Sequence, residues 1–288
     1  MTIAAAVPDI EHPSGKDAGG ENFPVASFLI RRDLRGHVRA FYRFARAADD
    51  IADAPDLMPA AKLSRLDLVE QALVTGAPAL PSVAPLRASL AVTGVADIHA
   101  RELLQAFRQD ATATRWRDWA ALMGYCRLSA APVGRHVLAL HGVGEAAWPA
   151  ADAICAALQV LNHVQDCGDD YRRLGRVYLP MELVRARGAR LNDLGGRTLT
   201  PALRAVLDDV LDRTDALLVV ARALPDRVPD RRLAGECAAI LEIARRLSAR
   251  LRRSDPLAGR VRPSMLDRLS ALAAGVGRAL LGRGRGRR

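Results

Sequence analysis

Hydrophobic positions recur at helical spacing along most of the chain. Between residues 24 and 53 the apolar side chains follow one another at steps of three and four, which predicts an amphipathic helix. The same periodicity predicts further helices at about 61–75, 98–110, 116–140, 149–173, 201–223, 229–253 and 263–281. Clusters of proline and glycine separate these segments. No run alternates as a half-buried strand would, so the pattern predicts an all-α helical bundle.

Two aspartate pairs interrupt this pattern. Asp49 and Asp53 are four residues apart, as are Asp166 and Asp170, and residues four apart lie on one face of a helix. The same two faces continue, one turn at a time, through Tyr42 and Arg46 on the first helix and Gln159 and Asn162 on the second. Carboxylate oxygens suit Mg²⁺, which takes one or two carboxylates together with phosphate oxygens. The spacing therefore favours a metal site that holds a diphosphate.

The alternative is that both aspartate stripes are ordinary solvated helix faces. Residues 153–164, which precede the second pair, are apolar on nearly every side, as in a buried helix. Carboxylates at the end of a buried helix cost several kcal/mol unless they are paired or bind a metal. The surroundings therefore favour the metal–diphosphate interpretation.

Composition indicates which cellular compartment and which partners to expect. The chain has 288 residues with 50% hydrophobic content, enough to bury a large core, and a net charge of +10 that favours anionic partners. The four cysteines occur singly, without the spacing of a disulfide framework or a zinc site, which favours a reducing cytoplasm. No secretory signal is recognised, and no apolar stretch reaches the ~18 residues of a membrane span.

The composition also suggests how the chain is divided. Residues 1–20 are predicted to be disordered, residues 21–280 to form one helical domain, and residues 281–288 to be an Arg/Gly-rich tail. Such a tail is compatible with nucleic acid, with an anionic membrane, or with simple solvation. Because aromatic residues make up only 4% of the chain, a surface that stacks nucleic-acid bases is not expected. Residues 142–147 fit a dinucleotide-binding pattern, but predicted helices flank them, so they are interpreted as a loop.

Five segments together resemble the squalene/phytoene synthase family. They are residues 21–27, 41–53, 107–110, 125–135 and 158–180, and the resemblance spans roughly residues 21–255. The first and fourth segments are similar to the bacterial hopanoid-pathway branch of that family. The resemblance implies the isoprenoid synthase helical bundle, with a central apolar cavity between the two aspartate helices.

The same resemblance implies roles for individual residues. The expected Mg²⁺ ligands are Asp49, Asp53, Asn162, Asp166 and Asp170. The expected contacts to the diphosphate or the prenyl chain are Asn22, Tyr42, Arg46, Gln159, Gln165 and Arg176. Tyr42, Arg46 and Tyr125 are the expected catalytic residues, with Tyr125 lining the cavity near the reacting carbons.

The implied activity is Mg²⁺-dependent conversion of presqualene diphosphate and water into hydroxysqualene and diphosphate. Synthesis of presqualene diphosphate or phytoene from two allylic diphosphates is the alternative within the family, and a noncatalytic assembly protein is the alternative outside it. The chain offers no recognisable nicotinamide site, so water is the expected quencher of the final carbocation.

Further partners follow from the water-insoluble substrate and product. Residues 263–281 carry leucines at helical spacing, which predicts either peripheral contact with the inner face of the membrane or packing of this helix on the bundle. Handover to neighbouring pathway enzymes is also expected, whereas nucleic acid is not an expected partner.

Overall fold

Helices dominate the structure, a computed structural model that describes residues 10–11 and 30–281. In chain order they are α1 (Arg35–Asp53), α2 (Pro59–Thr75), α3 (Ala84–Thr93), α4 (Ile98–Thr112), α5 (Trp119–Ser129), α6 (Ala131–Leu140), α7 (Trp148–Gln165), α8 (Cys167–Leu174), α9 (Met181–Ala186), α10 (Pro201–Ala221), α11 (Leu224–Arg227), α12 (Arg231–Leu251) and α13 (Met265–Leu281). Within the described residues, strand pairing is limited to an isolated bridge between Arg115 and Val177. The predicted all-α fold is confirmed.

Three predicted helices differ from the observed ones. One begins later in the sequence than predicted, and each of the other two is divided into two helices. The first helix starts at Arg35, since residues 30–34 form a bend and turns. The segment predicted at 116–140 is divided at Ala130, because Pro132 cannot continue a helix and is accommodated in the first turn of α6. The segment predicted at 149–173 is divided at Asp166, which ends α7 and begins α8.

Three helices were missed by the periodicity: α3, α9 and the four-residue α11. α3 begins inside a proline cluster that was interpreted as a connection, and Pro85 lies in its first turn, where its missing N–H is not needed. α9 has only six residues, too few to show a helical period.

At the chain's start, Ile10 is 3% exposed and Glu11 accepts a hydrogen bond from the Ser82 N–H, so these two residues of the segment predicted to be disordered contact the bundle. The tail after residue 281 lies outside the described residues.

The helices surround two apolar cores that meet at α1. The smaller core holds Phe41, Phe44 and Ile51 of α1 against α2, α3 and α4. The larger core extends through α5, α6, α7, α10 and α12, and it receives Val38 from the first turn of α1. α1 is therefore buried on both sides, which fixes the direction of its aspartate face.

α13 closes one side of the bundle by close packing on α12. A Cβ atom added at Gly235 of α12 would lie 2.6 Å from the Gly275 carbonyl oxygen of α13, so the two backbones approach as only glycine allows. The predicted packing of this helix on the bundle is thus observed, although its outer face carries exposed apolar side chains. Of the helices in the described part of the chain, none combines the length and apolar character needed to cross a membrane.

Candidate active site

The first aspartate stripe lies along one face of α1 and is held by an internal ion pair. Arg46 Nη1 donates to Asp49 Oδ2 at 2.8 Å, and Arg46 Nη2 donates to Tyr42 Oη at 3.4 Å. The guanidinium also lies 5.7 Å from the centre of the Tyr42 ring. The three side chains therefore form one connected group, as their spacing predicts.

The second stripe crosses the junction between α7 and α8. Asp166 caps both helices, and the Asp170 N–H still donates to the Asp166 carbonyl at 2.8 Å, so the helical direction is nearly kept across the break. Arg260, in the connection before α13, lies 3.5 Å from Asp166 Oδ1. Asn162 lies one turn before Asp166, and its carbonyl accepts the Asp166 N–H at 2.9 Å.

Arg176 joins the two aspartate-bearing elements. It follows Gly175, which ends α8 with a φ of +64°, a conformation that favours glycine and turns the chain back toward α1. From there Arg176 Nη1 donates to Asp53 Oδ1 at 2.5 Å and Nη2 donates to the Ala52 carbonyl at 2.9 Å. The Arg176 side chain is buried. Burial alone would lower its pKa, but Tyr178, Asp110 and Asp53 raise the pKa overall, so the guanidinium stays charged.

The carboxylates at this end of the bundle are crowded enough to attract a cation. Burial is the main cause that raises the pKa of Asp170 to about 8, and the nearby charges of Asp166 and Asp53 raise it further. A divalent cation beside these oxygens would offset their mutual repulsion. In residues 10–11 and 30–281 no three His, Cys, Asp or Glu side chains are already gathered as an ion cage. Mg²⁺ does not require one, since phosphate oxygens complete its coordination, and the donor set fits such an ion.

An apolar cavity of about 430 Å³ opens beside this acidic end. Its polar wall includes Tyr42, Arg46, Asp49, Tyr125 and Gln159. Most of the remaining wall is aliphatic or aromatic and comes from α1, α6, α7 and α12. A long apolar chain placed here would have its charged end at Asp49 and Arg46, which is the arrangement that a prenyl diphosphate requires.

A buried carboxylate connects the cavity wall to the acidic end. Asp110 accepts hydrogen bonds from the Tyr125 hydroxyl at 2.7 Å and the Tyr178 hydroxyl at 2.8 Å. Burial is the largest cause that raises the pKa of Asp110 to about 6, while Arg176 and the two tyrosine bonds lower it. Tyr178 also stacks on His163, with ring centroids 3.5 Å apart, and burial lowers the pKa of His163 to about 3. The imidazole is thus a neutral packing partner of Tyr178.

The predicted site residues do not all meet at the cavity. Asp53, Asp166, Asp170 and Arg176 cluster at the acidic end, beyond the cavity wall itself. Asn22 lies outside the described residues. Gln165 was predicted to contact substrate; its side chain is buried, and its Nε2 donates to the Val261 carbonyl.

Three residues of the acidic end were not assigned from the sequence. Asp110 and Tyr178 lie in segments that carry the family resemblance. They are 68 positions apart in the sequence, and this spacing does not predict the hydrogen bond between their side chains. Arg260 lies in an irregular connection 94 positions after Asp166, where no periodic pattern exists. Only the segment 107–110, with its terminal aspartate, gave a signal that could have pointed to Asp110.

Comparison with known proteins identifies the family of this chain. The chain matches the squalene/phytoene synthase family over residues 16–267. It is 46% identical to the hydroxysqualene synthase of Rhodopseudomonas palustris, over 86% of this chain and 85% of that protein. The crystal structure of squalene synthase HpnC from Alicyclobacillus acidocaldarius superposes with a TM-score of 0.71 at 32% identity, covering 80% of this chain and 87% of that one. The chain belongs to the squalene/phytoene synthase family.

A second protein from the same bacterium allows the chain to be compared with two members of this family from one organism. The presqualene diphosphate synthase of Rhodopseudomonas palustris is 30% identical to the chain, over 80% of this chain and 83% of that protein. The chain is therefore more similar to the hydroxysqualene synthase of that organism than to its presqualene diphosphate synthase.

Removing the Tyr178 hydroxyl should destabilise the protein, because Asp110 stays buried with one donor fewer. We expect Tyr178→Phe to lower the free energy of unfolding by about 1–3 kcal/mol, measured by chemical denaturation. Tyr171→Phe is the matched control, since that hydroxyl donates to Asn192 at an exposed position and its loss should change the free energy by less than about 0.5 kcal/mol. Equal losses in the two variants would contradict the role given to Asp110.

Proposed function

We propose that this protein converts presqualene diphosphate and water into hydroxysqualene and diphosphate, with Mg²⁺ as the metal. The observation that carries the proposal is the apolar cavity whose wall becomes charged at Asp49 and Arg46, beside the carboxylates of α1 and α8. The greater similarity to a hydroxysqualene synthase than to a presqualene diphosphate synthase of the same organism supports this choice of reaction.

The acidic end would bind the metal and the leaving group. Asp49, Asp53, Asn162, Asp166 and Asp170 are the proposed Mg²⁺ ligands, and the bound ion would supply positive charge that stabilises the departing diphosphate. Arg46 and Arg176 provide charge-assisted donors beside these ligands. Each guanidinium already pairs with a carboxylate, and the same donors can be shared with phosphate when substrate binds.

The cavity would hold the carbocation that remains. Tyr42 and Tyr125 line it, and their aromatic faces can stabilise a positive charge. Burial raises the pKa of Tyr125 well above its usual value, with Asp110 adding to the effect, so its hydroxyl remains a donor that fixes the ring. Gln159 offers a polar contact at the charged end of the cavity. The aliphatic wall keeps bulk water away from the cation.

Synthesis of presqualene diphosphate or phytoene is the second candidate, because it would use the same metal and cavity. Both reactions begin with loss of diphosphate, so the site geometry favours neither. The comparison within Rhodopseudomonas palustris favours the first. Product analysis with each substrate decides between them.

We also propose that the outer face of α13 contacts an anionic membrane. The side chains of Leu266, Leu269 and Leu280 are 74%, 53% and 69% exposed, and Met265, Leu272 and Val276 continue the same apolar strip. Arg262 and Arg268, which are next to this strip in the sequence, are exposed. Apolar side chains and neighbouring positive charges together favour shallow binding at a negatively charged lipid surface.

A product assay tests the proposed reaction. Incubated with presqualene diphosphate and Mg²⁺, the protein should form hydroxysqualene as the main product whether or not NADPH is present. The hydroxyl oxygen should carry the label from ¹⁸O-water, as detected by mass spectrometry, because water is the proposed quencher. A shift of most product to squalene on adding NADPH, or turnover of farnesyl diphosphate alone, would contradict the proposal.

The metal ligands can be tested by replacing single carboxylates with amides of nearly the same volume. We expect Asp49→Asn and Asp166→Asn each to reduce turnover by about 100-fold or more, because each removes one anionic ligand. Asp169→Asn is the matched control: this neighbour in the second aspartate cluster is exposed and pairs with Arg172. Circular dichroism should show an unchanged fold. Near-normal turnover in both Asp49→Asn and Asp166→Asn would reject the assignment.

The membrane proposal predicts weaker binding when the apolar strip is made polar. The double variant Leu266→Ser/Leu269→Ser should bind vesicles containing phosphatidylglycerol about tenfold more weakly in sedimentation assays. The matched control is Met58→Ser/Val92→Ser, which alters two exposed apolar residues away from α13. Binding by the unaltered protein should fall as salt increases. Equal vesicle binding by the two double variants would argue that α13 only packs on the bundle and does not contact the membrane.

A further inference from the structure

Two polar side chains in the cavity wall have no hydrogen-bond partner in the part of the chain that the structure describes. Among the described residues, nothing bonds to Ser129 Oγ or to either ring nitrogen of His136, although these atoms are buried. Both residues line the cavity, and His136 is only 1% exposed. Because buried polar groups in folded proteins are almost always paired with protein or with water, these atoms point to a ligand inside the cavity.

Ser129 lies beside the ring proposed to face the reacting carbons. It is four residues after Tyr125 on α5, so the two side chains share one face of that helix, and both line the cavity. The Tyr125 hydroxyl is bonded to Asp110, whereas the Ser129 hydroxyl, which the same helix face adds to the cavity wall, has no partner among the described residues.

His136 lies elsewhere in the same cavity wall. Its ring stacks on Phe41 of α1, with ring centroids 3.9 Å apart and an interplanar angle of 13°. Phe41 precedes Asp49 by eight residues, which corresponds to about 12 Å along the helix axis. Burial is the main cause that lowers the pKa of His136 to about 3, so the ring is neutral and offers one donor and one acceptor.

We propose that Ser129 holds the water molecule that becomes the hydroxyl group of the product, and that His136 holds a second water elsewhere in the same cavity. The inference rests on the proposed function and deepens it. A hydroxyl and a neutral imidazole can both donate to and accept from water, whereas the surrounding wall of Val133, Val137, Leu138, Ile154 and Leu158 cannot. Ser129 and His136 therefore offer defined points at which water can be ordered between these apolar side chains.

The chemistry balances without a further reagent. The carbon–oxygen bond to diphosphate breaks, and diphosphate leaves with the electron pair. A lone pair of the water held by Ser129 then forms the new carbon–oxygen bond to the carbocation, and one proton passes from that oxygen to the released diphosphate. When water is not in place, the same cation loses a proton from a neighbouring carbon and forms an alkene. The ratio of alcohol to alkene thus reports water placement separately from the rate of ionisation.

The test compares side chains of equal shape. Ser129→Thr and Ser129→Val differ only in a hydroxyl against a methyl group, and Ser129→Ala removes the hydroxyl without adding bulk. With presqualene diphosphate and Mg²⁺, we expect the alcohol-to-alkene ratio to fall about fivefold or more in Ser129→Ala and Ser129→Val, and to stay within about twofold of the unaltered protein in Ser129→Thr. His136→Phe should lower the ratio by about twofold, and His136→Asn should restore it.

Ser82→Ala provides the matched control, because Ser82 Oγ is also buried without a partner among the described residues but does not line the cavity. Its product ratio should equal that of the unaltered protein. Gas chromatography with mass spectrometry measures both products, and diphosphate release measures ionisation.

An unchanged ratio in Ser129→Ala and Ser129→Val overturns the inference, whatever happens to the rate. An equal fall in Ser129→Thr also overturns it, since the hydroxyl would then not be the cause. If Ser129→Val does not fold, the comparison of Ser129→Ala with Ser129→Thr decides in the same way. Absence of hydroxysqualene from the unaltered protein is a different result, because it rejects the proposed function itself.

Discussion

The buried guanidinium of Arg176 is the interaction on which the acidic end of the bundle depends. It bonds to Asp53 and to the Ala52 carbonyl at the end of α1, and it follows directly from the end of α8. A buried cation without a partner would cost several kcal/mol, so the pairing fixes these two helix ends relative to each other. Since α1 carries Asp49 and Asp53 and α8 carries Asp170, the distance between the two aspartate pairs depends on this contact.

The same cluster connects the charged end to the apolar cavity. Asp110, one of the groups that keep Arg176 charged, also holds Tyr125 and Tyr178 through their hydroxyls. Tyr125 therefore has a fixed position in the cavity wall, close to the boundary between charged and apolar surroundings. This boundary is what a reaction needs when an anion leaves at one end and a cation must survive at the other.

The surface of the protein suits the same apolar chemistry. α13 is held to α12 by a glycine contact on its inner face, yet its outer face presents leucines next to arginines. A helix that served only packing would not need apolar side chains on its solvent side. The arrangement is consistent with a protein whose substrate and product are both poorly soluble in water.

The sequence by itself determined the helical architecture, the two aspartate stripes and the family. These properties are local: the period of apolar residues defines a buried helix face, and a spacing of four places two carboxylates on one face whatever the rest of the chain does. Only the tertiary structure decided where backbones break, as at Asp166, and which distant groups meet. Gln165 bonds to Val261 and Tyr178 bonds to Asp110 because packing brings residues together across tens of positions. Among the described residues, the same packing leaves Ser129 Oγ and the two ring nitrogens of His136 without a hydrogen-bond partner. Periodicity encodes which side of a helix is buried, but the hydrogen-bond partner found there depends on the helix that packs against it.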